Sequence, residues 1–178
     1  MTSSATPERA GVITFRGTPM TLVGPAPRVG DPAPEFRLTS GTLGQFTLEE
    51  ALDGGKRNAL FIAVPSLDTP TCDIETNTFN RRLADVPEGT GVFVVSMDLP
   101  FAQKRWAGAN GAEVLSYLSD YRDRSFGTGY GILIKELLLL TRANFVVSKN
   151  RTIAYVEIVP EVANEPNYDA TLAALKKV

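Results

Sequence analysis

The chain of 178 residues holds one cysteine, Cys72, and no histidine. The cysteine closes the segment Pro65-Ser-Leu-Asp-Thr69-Pro-Thr-Cys72, directly after a strongly apolar run. A thiol just past a strand end, in the first turn of a helix, is placed for reactivity. Unpaired backbone N–H groups and the positive end of the helix dipole favour its thiolate, the form that acts as a nucleophile. With no imidazole in the chain, any activation of Cys72 rests on such dipoles and on Arg or Lys.

Reading Thr69 as the N-cap makes Pro70 the first helical residue and puts Cys72 at the third position. Thr is a good cap, and Pro is favoured at the first position because its missing N–H would be unpaired there anyway. The dipole contributes about 0.3–1 kcal/mol, up to about 2 when partly buried. At about 1.36 kcal/mol per pKa unit, that lowers a thiol by about one unit. One unit below about 8.5 leaves too little thiolate at neutral pH. Asp68, Asp73 and Glu75 lie close in sequence and would oppose ionisation if they pointed inward. A cation is therefore required, and Arg142, just before a strand at Asn144, could reach the site across the sheet edge. The competing reading is a small buried apolar Cys72, common among free cysteines. A Cys-x-x-Cys redox pair is excluded, because Cys72-Asp-Ile-Glu75 has no second thiol.

The elements that must hold these residues follow from periodicity and punctuation. Residues 1–10 are polar and expected to be disordered. Residues 12–23 read as a hairpin around Gly17-Thr-Pro, followed by a proline-rich extended connector, residues 24–34. Residues 36–39 and 45–47 suggest a second hairpin, and residues 47–53 a short helix with a Thr cap and a Gly54-Gly55 stop. Residues 58–64 form a continuous apolar run ended by Pro65, the pattern of a central strand covered on both faces. Residues 72–84 read as a helix burying Ile74, Phe79 and Leu83, and residues 91–97 as a second buried strand. Residues 100–107 begin a helix with Pro at its first turn, ending near Gly108 or Gly111. Strands over 144–148 and 152–158 flank a turn, and residues 168–175 close the chain as a helix with Leu172 and Leu175 inward. This order predicts a single α/β domain over 1–178, with a mixed sheet and helices on both faces.

Composition excludes several classes. A net charge of −2, with only Arg81-Arg82 and Lys176-Lys177 as basic pairs, argues against a nucleic-acid surface. No apolar run is long enough to span a bilayer, and the first residues lack the apolar core of a secretory signal. A lone cysteine fits a reducing, cytoplasmic compartment. No metal-ligand cluster or cofactor motif is present. Gly127-Thr-Gly129-Tyr-Gly131 lacks a strong preceding strand and reads as a turn, not a phosphate loop. The leucine-rich stretch 132–140, interrupted by Lys135 and Glu136, reads as core or dimer packing.

Pro65-x-x-x-Thr69-x-x-Cys72 resembles the peroxidatic motif of the peroxiredoxins. With Ser96-Met-Asp-Leu-Pro-Phe-Ala-Gln-Lys-Arg105 and Gly108-Ala-Asn-Gly111, the resemblance narrows to the thiol peroxidase subfamily and runs from about Val12 to the final helix. It implies a thioredoxin fold, a homodimer, and reduction of hydrogen peroxide and organic hydroperoxides. By position it implies that Cys72 attacks, Thr69 hydrogen-bonds thiolate and peroxide, Pro65 shields the site from water, and Arg142 is the active-site arginine. Subfamily members usually carry a resolving cysteine where this chain has Ala107 in Arg105-Trp-Ala107-Gly. An alanine cannot condense with a sulfenic acid. Two readings follow: a natural one-cysteine peroxidase reduced by thioredoxin or another external thiol, or a chain whose cysteine was replaced by alanine. The alternative from another class is a redox sensor or binding scaffold that does not cycle.

Overall fold

The computed structural model describes residues 6–178. Its centre is a seven-stranded mixed sheet of β3 (Arg37–Thr39), β4 (Gln45–Thr47), β5 (Ala59–Ala63), β6 (Gly91–Ser96), β7 (Ser116–Ser119), β10 (Ala143–Val147) and β11 (Ile153–Ile158). Its strand order is β11-β10-β5-β6-β7-β3-β4. β5, β6 and β7 run parallel, while β10 pairs antiparallel with β5 in the register Phe145↔Phe61. Parallel neighbours need crossovers, and these are α2 (Pro70–Arg81) and α3 (Pro100–Asn110).

All five residues of β5 are buried, as a strand covered on both faces requires. The period-2 alternation sorts them: Ala59, Phe61 and Ala63 enter one core, Leu60 and Ile62 the other. The first core contains Phe36, Phe126, Tyr130 and Phe145, and is covered by α1 (Leu48–Ala51) and α4 (Ser125–Gly129). The second packs Phe79 of α2, Trp106 of α3, and Leu172 and Leu175 of α5 (Tyr168–Leu175). Cys72 belongs to this second core. Arg82 closes the C-terminal end of α2 onto α5 through Asp169, at 2.7 Å.

A second sheet carries the hairpin β1 (Glu8–Phe15) and β2 (Thr18–Val23), extended by β8 (Leu133–Ile134) and β9 (Leu139–Leu140) in the order β1-β2-β8-β9. The leucine-rich stretch is thus two short strands that give the hairpin a partner. β1 begins at Glu8, so residues 8–10 pair with Thr21–Val23 in place of the disorder expected over 1–10. The rest of that expectation, residues 1–5, lies outside the described residues. The glycine-rich segment is a close contact: a Cβ on Gly131, at φ 64°, would lie 1.8 Å from the Pro25 carbonyl oxygen. The amides of Phe126 and Gly127 are taken by Asp120 at 3.1 and 2.7 Å, so they are not free for a phosphate. Among the described residues, no helix is long and apolar enough to cross a membrane.

Candidate active site

α2 starts where β5 stops. Val64 still pairs with Val95, through its N–H at 3.0 Å, and Pro65 then ends the ladder. Thr69 is the N-cap in extended conformation, with Pro70 first in the helix. The amides of Thr71 and Cys72 have no carbonyl one turn earlier in the helix to donate to, so the thiol sits beside the positive end of the dipole. The Thr69 hydroxyl makes no capping bond to the helix. It lies instead 2.8 Å from Cys72 Sγ and 3.0 Å from the Ser66 carbonyl oxygen. It has one proton. Against a protonated thiol it donates to Ser66 and accepts from S–H; against a thiolate it donates to sulfur.

Arg142 lies between β9 and β10, and its backbone accepts from Val159 N–H at 3.0 Å. Its side chain crosses beneath the start of α2. Nη2 donates to Cys72 Sγ at 3.4 Å, Nη1 to Glu75 Oε2, and Nε to the Val162 carbonyl at 3.0 Å. The guanidinium is 1% exposed, and Cys72 and Glu75 are fully covered. Burial works against the Arg142 charge, but Glu75 and Cys72 outweigh it, so the guanidinium holds its proton more firmly than usual. Burial pushes the Glu75 carboxyl up to about 7, with Arg142 pulling the other way and the carboxylates of Glu157 and Glu165 adding to the rise.

Two further structures hold this group in place. The first is Asp98, just past β6. It accepts from Ser66 Oγ at 2.7 Å, Leu67 N–H at 2.8 Å and Ser96 Oγ at 2.8 Å. Gln103 of α3 donates to Ser96 Oγ at 3.0 Å. The motif 96–105 thereby braces the loop carrying Pro65 and Thr69. The second is Glu161, which accepts from Thr14 Oγ1 and from the backbone of Arg16, Gly17 and Ala163, all within 3.0 Å. These donors, Ala163 and Gly17 foremost, hold its carboxyl down to about 2. Glu161 thus fastens the N-terminal hairpin to the loop whose Val162 carbonyl anchors Arg142.

Of the residues expected at the site, the structure brings Thr69 and Arg142 to Cys72, and Pro65 is buried where the chain leaves β5. No local sequence signal marks Asp98 or Glu161, and by sequence Glu75 is only an opposing charge. Glu75 does point inward, paired with Arg142. Asp68 and Asp73 turn away, to Arg105 at 2.9 Å and to Trp106 Nε1 at 3.1 Å. Ile74, expected in the buried stripe of α2, is 47% exposed, because Cys72, Glu75, Thr76 and Phe79 occupy that face.

A groove of about 380 Å³ opens at the start of α2, lined by Leu67, Asp68, Thr69, Pro70, Asp73, Trp106 and Asn110. A second cavity, of about 530 Å³, lies across α3 between Phe46, Phe93 and Tyr117. Ala107 lines this second cavity and not the groove, whereas its neighbour Trp106 lines the groove. Position 107 thus belongs to the wall of the second cavity and not to the groove that Thr69 lines.

A thiol held by a cap hydroxyl and a buried arginine on a mixed α/β sheet defines a class of redox protein, and comparison with known proteins agrees. Residues 28–172 match the Redoxin family. The chain superposes on the crystal structure of a peroxiredoxin-like protein from Aquifex aeolicus with a TM-score of 0.85 at 41% identity, covering 98% of this chain and 99% of that one. It therefore has the thioredoxin-like fold expected from the sequence. Thiol peroxidase from Halalkalibacterium halodurans is 46% identical over 164 residues, 92% of this chain and 96% of that one. Thiol peroxidase from Bacillus subtilis is 44% identical with the same coverage. The chain belongs to the redoxin family, and within it to the thiol peroxidases, which are peroxiredoxin enzymes.

Proposed function

We propose that the chain reduces hydrogen peroxide and organic hydroperoxides through a Cys72 thiolate, and that an external thiol completes each cycle. The observation that carries this reading is the position of Sγ, 2.8 Å from the Thr69 hydroxyl and 3.4 Å from Arg142 Nη2. The peroxide enters from the groove that Thr69 lines. The thiolate attacks one peroxide oxygen in line, an S–O bond forms and the O–O bond breaks. The attacked oxygen stays on sulfur as Cys72–SOH, and the other leaves as hydroxide or alkoxide and takes a proton to give water or an alcohol. Arg142, Thr69 and the free amides of α2 stabilise charge as it moves from sulfur to oxygen, a preorganised electrostatic site. Buried Pro65 keeps water from the sulfur.

With Ala107 in place, the sulfenic acid has no partner in this chain. A first external thiol expels water and forms a mixed disulfide, and a second releases Cys72. Thioredoxin or a small thiol fills this role, and the working form is a homodimer. The Ala107 position also favours a second reading, a sensor that is oxidised once and does not cycle. The two separate by steady-state peroxide consumption with a thioredoxin system, alongside a sulfenic-acid probe and intact mass. Sustained turnover supports the peroxidase; a single equivalent consumed, with Cys72 left oxidised, supports the sensor. Oxidation of Cys72 no faster than a free thiol rejects both.

A further inference from the structure

Glu75 lies one turn after Cys72 on the same inward face of α2, and both are fully covered. Arg142 spans the two, with one terminal nitrogen on each. Among the described residues no other cation is bonded to either group. With Cys72 and Glu75 both ionised, this covered cluster carries two negative charges against one positive. Burying an uncompensated ion costs several kcal/mol. With only one of them ionised, the cluster is neutral.

The remaining surroundings favour a proton on Glu75. Its Oε1 has no hydrogen-bond partner, a costly position for a carboxylate oxygen and a cheaper one for a neutral carboxyl. From the neighbouring elements, Glu157 on β11 and Glu165 ahead of α5 add negative potential, and the Tyr168 phenol on α5 donates to Glu165 at 2.6 Å. The tendency of the Glu75 carboxyl to hold a proton near neutral pH agrees with this geometry.

We propose that Glu75 is the proton partner of Cys72: the thiol proton passes to the Glu75 carboxylate, and the thiolate forms as the carboxyl becomes neutral. The step is Cys72–SH plus Glu75–COO⁻ giving Cys72–S⁻ plus Glu75–COOH. No proton leaves the cluster and its net charge does not change. Arg142 transfers its pairing from the carboxylate to the sulfur without moving. This rests on the reading of Cys72 as the ionising nucleophile, but its test needs no peroxide. Glu75 is thus a positioning and proton-holding residue, set behind the residues that meet substrate.

The test compares two numbers at one pH about one unit above the value of about 7 at which the Glu75 carboxyl facing Arg142 holds its proton: the thiolate fraction, from ultraviolet absorbance, and the protons released per Cys72 alkylated with iodoacetamide. Alkylating an isolated thiolate releases no proton, so an independent cysteine releases one minus its thiolate fraction. A shared proton is released in full, because Glu75 ionises against Arg142 once the sulfur is blocked. The expected result is a substantial thiolate fraction with close to one proton released. In Glu75→Gln, release falls to one minus the thiolate fraction, and the midpoint for thiolate formation moves down by at least about one pH unit, a tenfold change. Absence of thiolate at that pH, release equal to one minus the thiolate fraction in the unaltered protein, or a midpoint unchanged or raised in Glu75→Gln would each overturn the proposal. The unaltered protein alone decides the matter if the variant does not fold. A positive result here with slow peroxide oxidation would instead remove the peroxidase reading and leave the proton pair intact.

Discussion

α2 and α3 follow neighbouring parallel strands, β5 and β6, and both start with proline in the first helical position. The positions that correspond to Thr69 and Cys72 in α2 are Leu99 and Ala102 in α3. α3 therefore has the same dipole but no hydroxyl and no thiol at its start. Its polar groups serve the other helix: Asp98 and Gln103 brace the loop before α2, and Arg105 holds Asp68 outward. A proline-started helix on a parallel strand is common architecture. What distinguishes α2 is chemistry brought from elsewhere in the chain, chiefly Arg142, 70 residues on.

Arg142→Ala removes the feature that separates the two helices and has the largest expected effect. Losing a preorganised charge donor slows Cys72 oxidation by about 10²–10³-fold. It also leaves Glu75 buried without its cation, costing about 3–5 kcal/mol in denaturant unfolding. A normal oxidation rate in a folded Arg142→Ala protein would show that the dipole of α2 suffices.

The buried carboxyl of α2 makes a pH prediction that α3 does not share. Its value is raised from the ordinary 4.5 to about 7, so the folded chain binds the proton more tightly than the unfolded chain. The contribution to stability is full below about pH 4.5 and is lost as pH rises through about 7, by up to about 3 kcal/mol. Unfolding curves across this window are expected to lose that slope in Glu75→Gln. A smaller slope of the same sign remains from Asp120, which burial raises to about 6.

Asp98→Ala cuts the brace that the α3 side gives to the loop. It frees Ser66 and leaves the Leu67 amide unpaired, for an expected loss of about 2–4 kcal/mol. Cys72 oxidation slows about tenfold as Thr69 loses its fixed position, a change that corresponds to about 1.4 kcal/mol. Unchanged oxidation kinetics in this variant would mean that the loop is held without α3.

Ala107→Cys has the smallest expected effect. A sulfur there enters the cavity across α3, so stability changes by less than about 1 kcal/mol. A disulfide needs Cβ atoms about 3.5–4.5 Å apart, and position 107 lines the cavity across α3, not the groove that Thr69 lines. The bond to Cys72 is therefore expected to form more slowly than the sulfenic acid, limited by the opening of α3. Mass analysis of quenched time points checks this; a disulfide formed as fast as peroxide is consumed would show that α3 is already open.

The frame of the site could be read from local sequence, because its signals are local. The apolar run ended by Pro65, the Thr69-Pro70 start and Cys72 in the first turn all stand as expected. The need for a cation followed from the small size of the dipole effect. Choosing Arg142 took the family resemblance, since no local pattern says which arginine crosses the sheet. Asp98 escaped for the same reason: its partners Ser66 and Leu67 lie 32 and 31 residues away. The inward turn of Glu75 is also a tertiary effect. Apolar periodicity favours Ile74 for burial, and the buried guanidinium of Arg142 reverses that preference. Residues 8–10 look disordered by composition, yet they gain a strand partner from β2 and, beyond it, support from β8.

The most direct measurement of the central claim is the second-order rate of Cys72 oxidation by hydrogen peroxide at neutral pH. It is followed in single turnover by intact mass with a sulfenic-acid trap, beside a small free thiol and the Cys72→Ser variant. A rate orders of magnitude above the free thiol, with one oxygen added at Cys72 and none in Cys72→Ser, is the predicted result. A rate equal to that of the free thiol would contradict the account, and would leave Cys72 as a small buried residue in the core beneath α2.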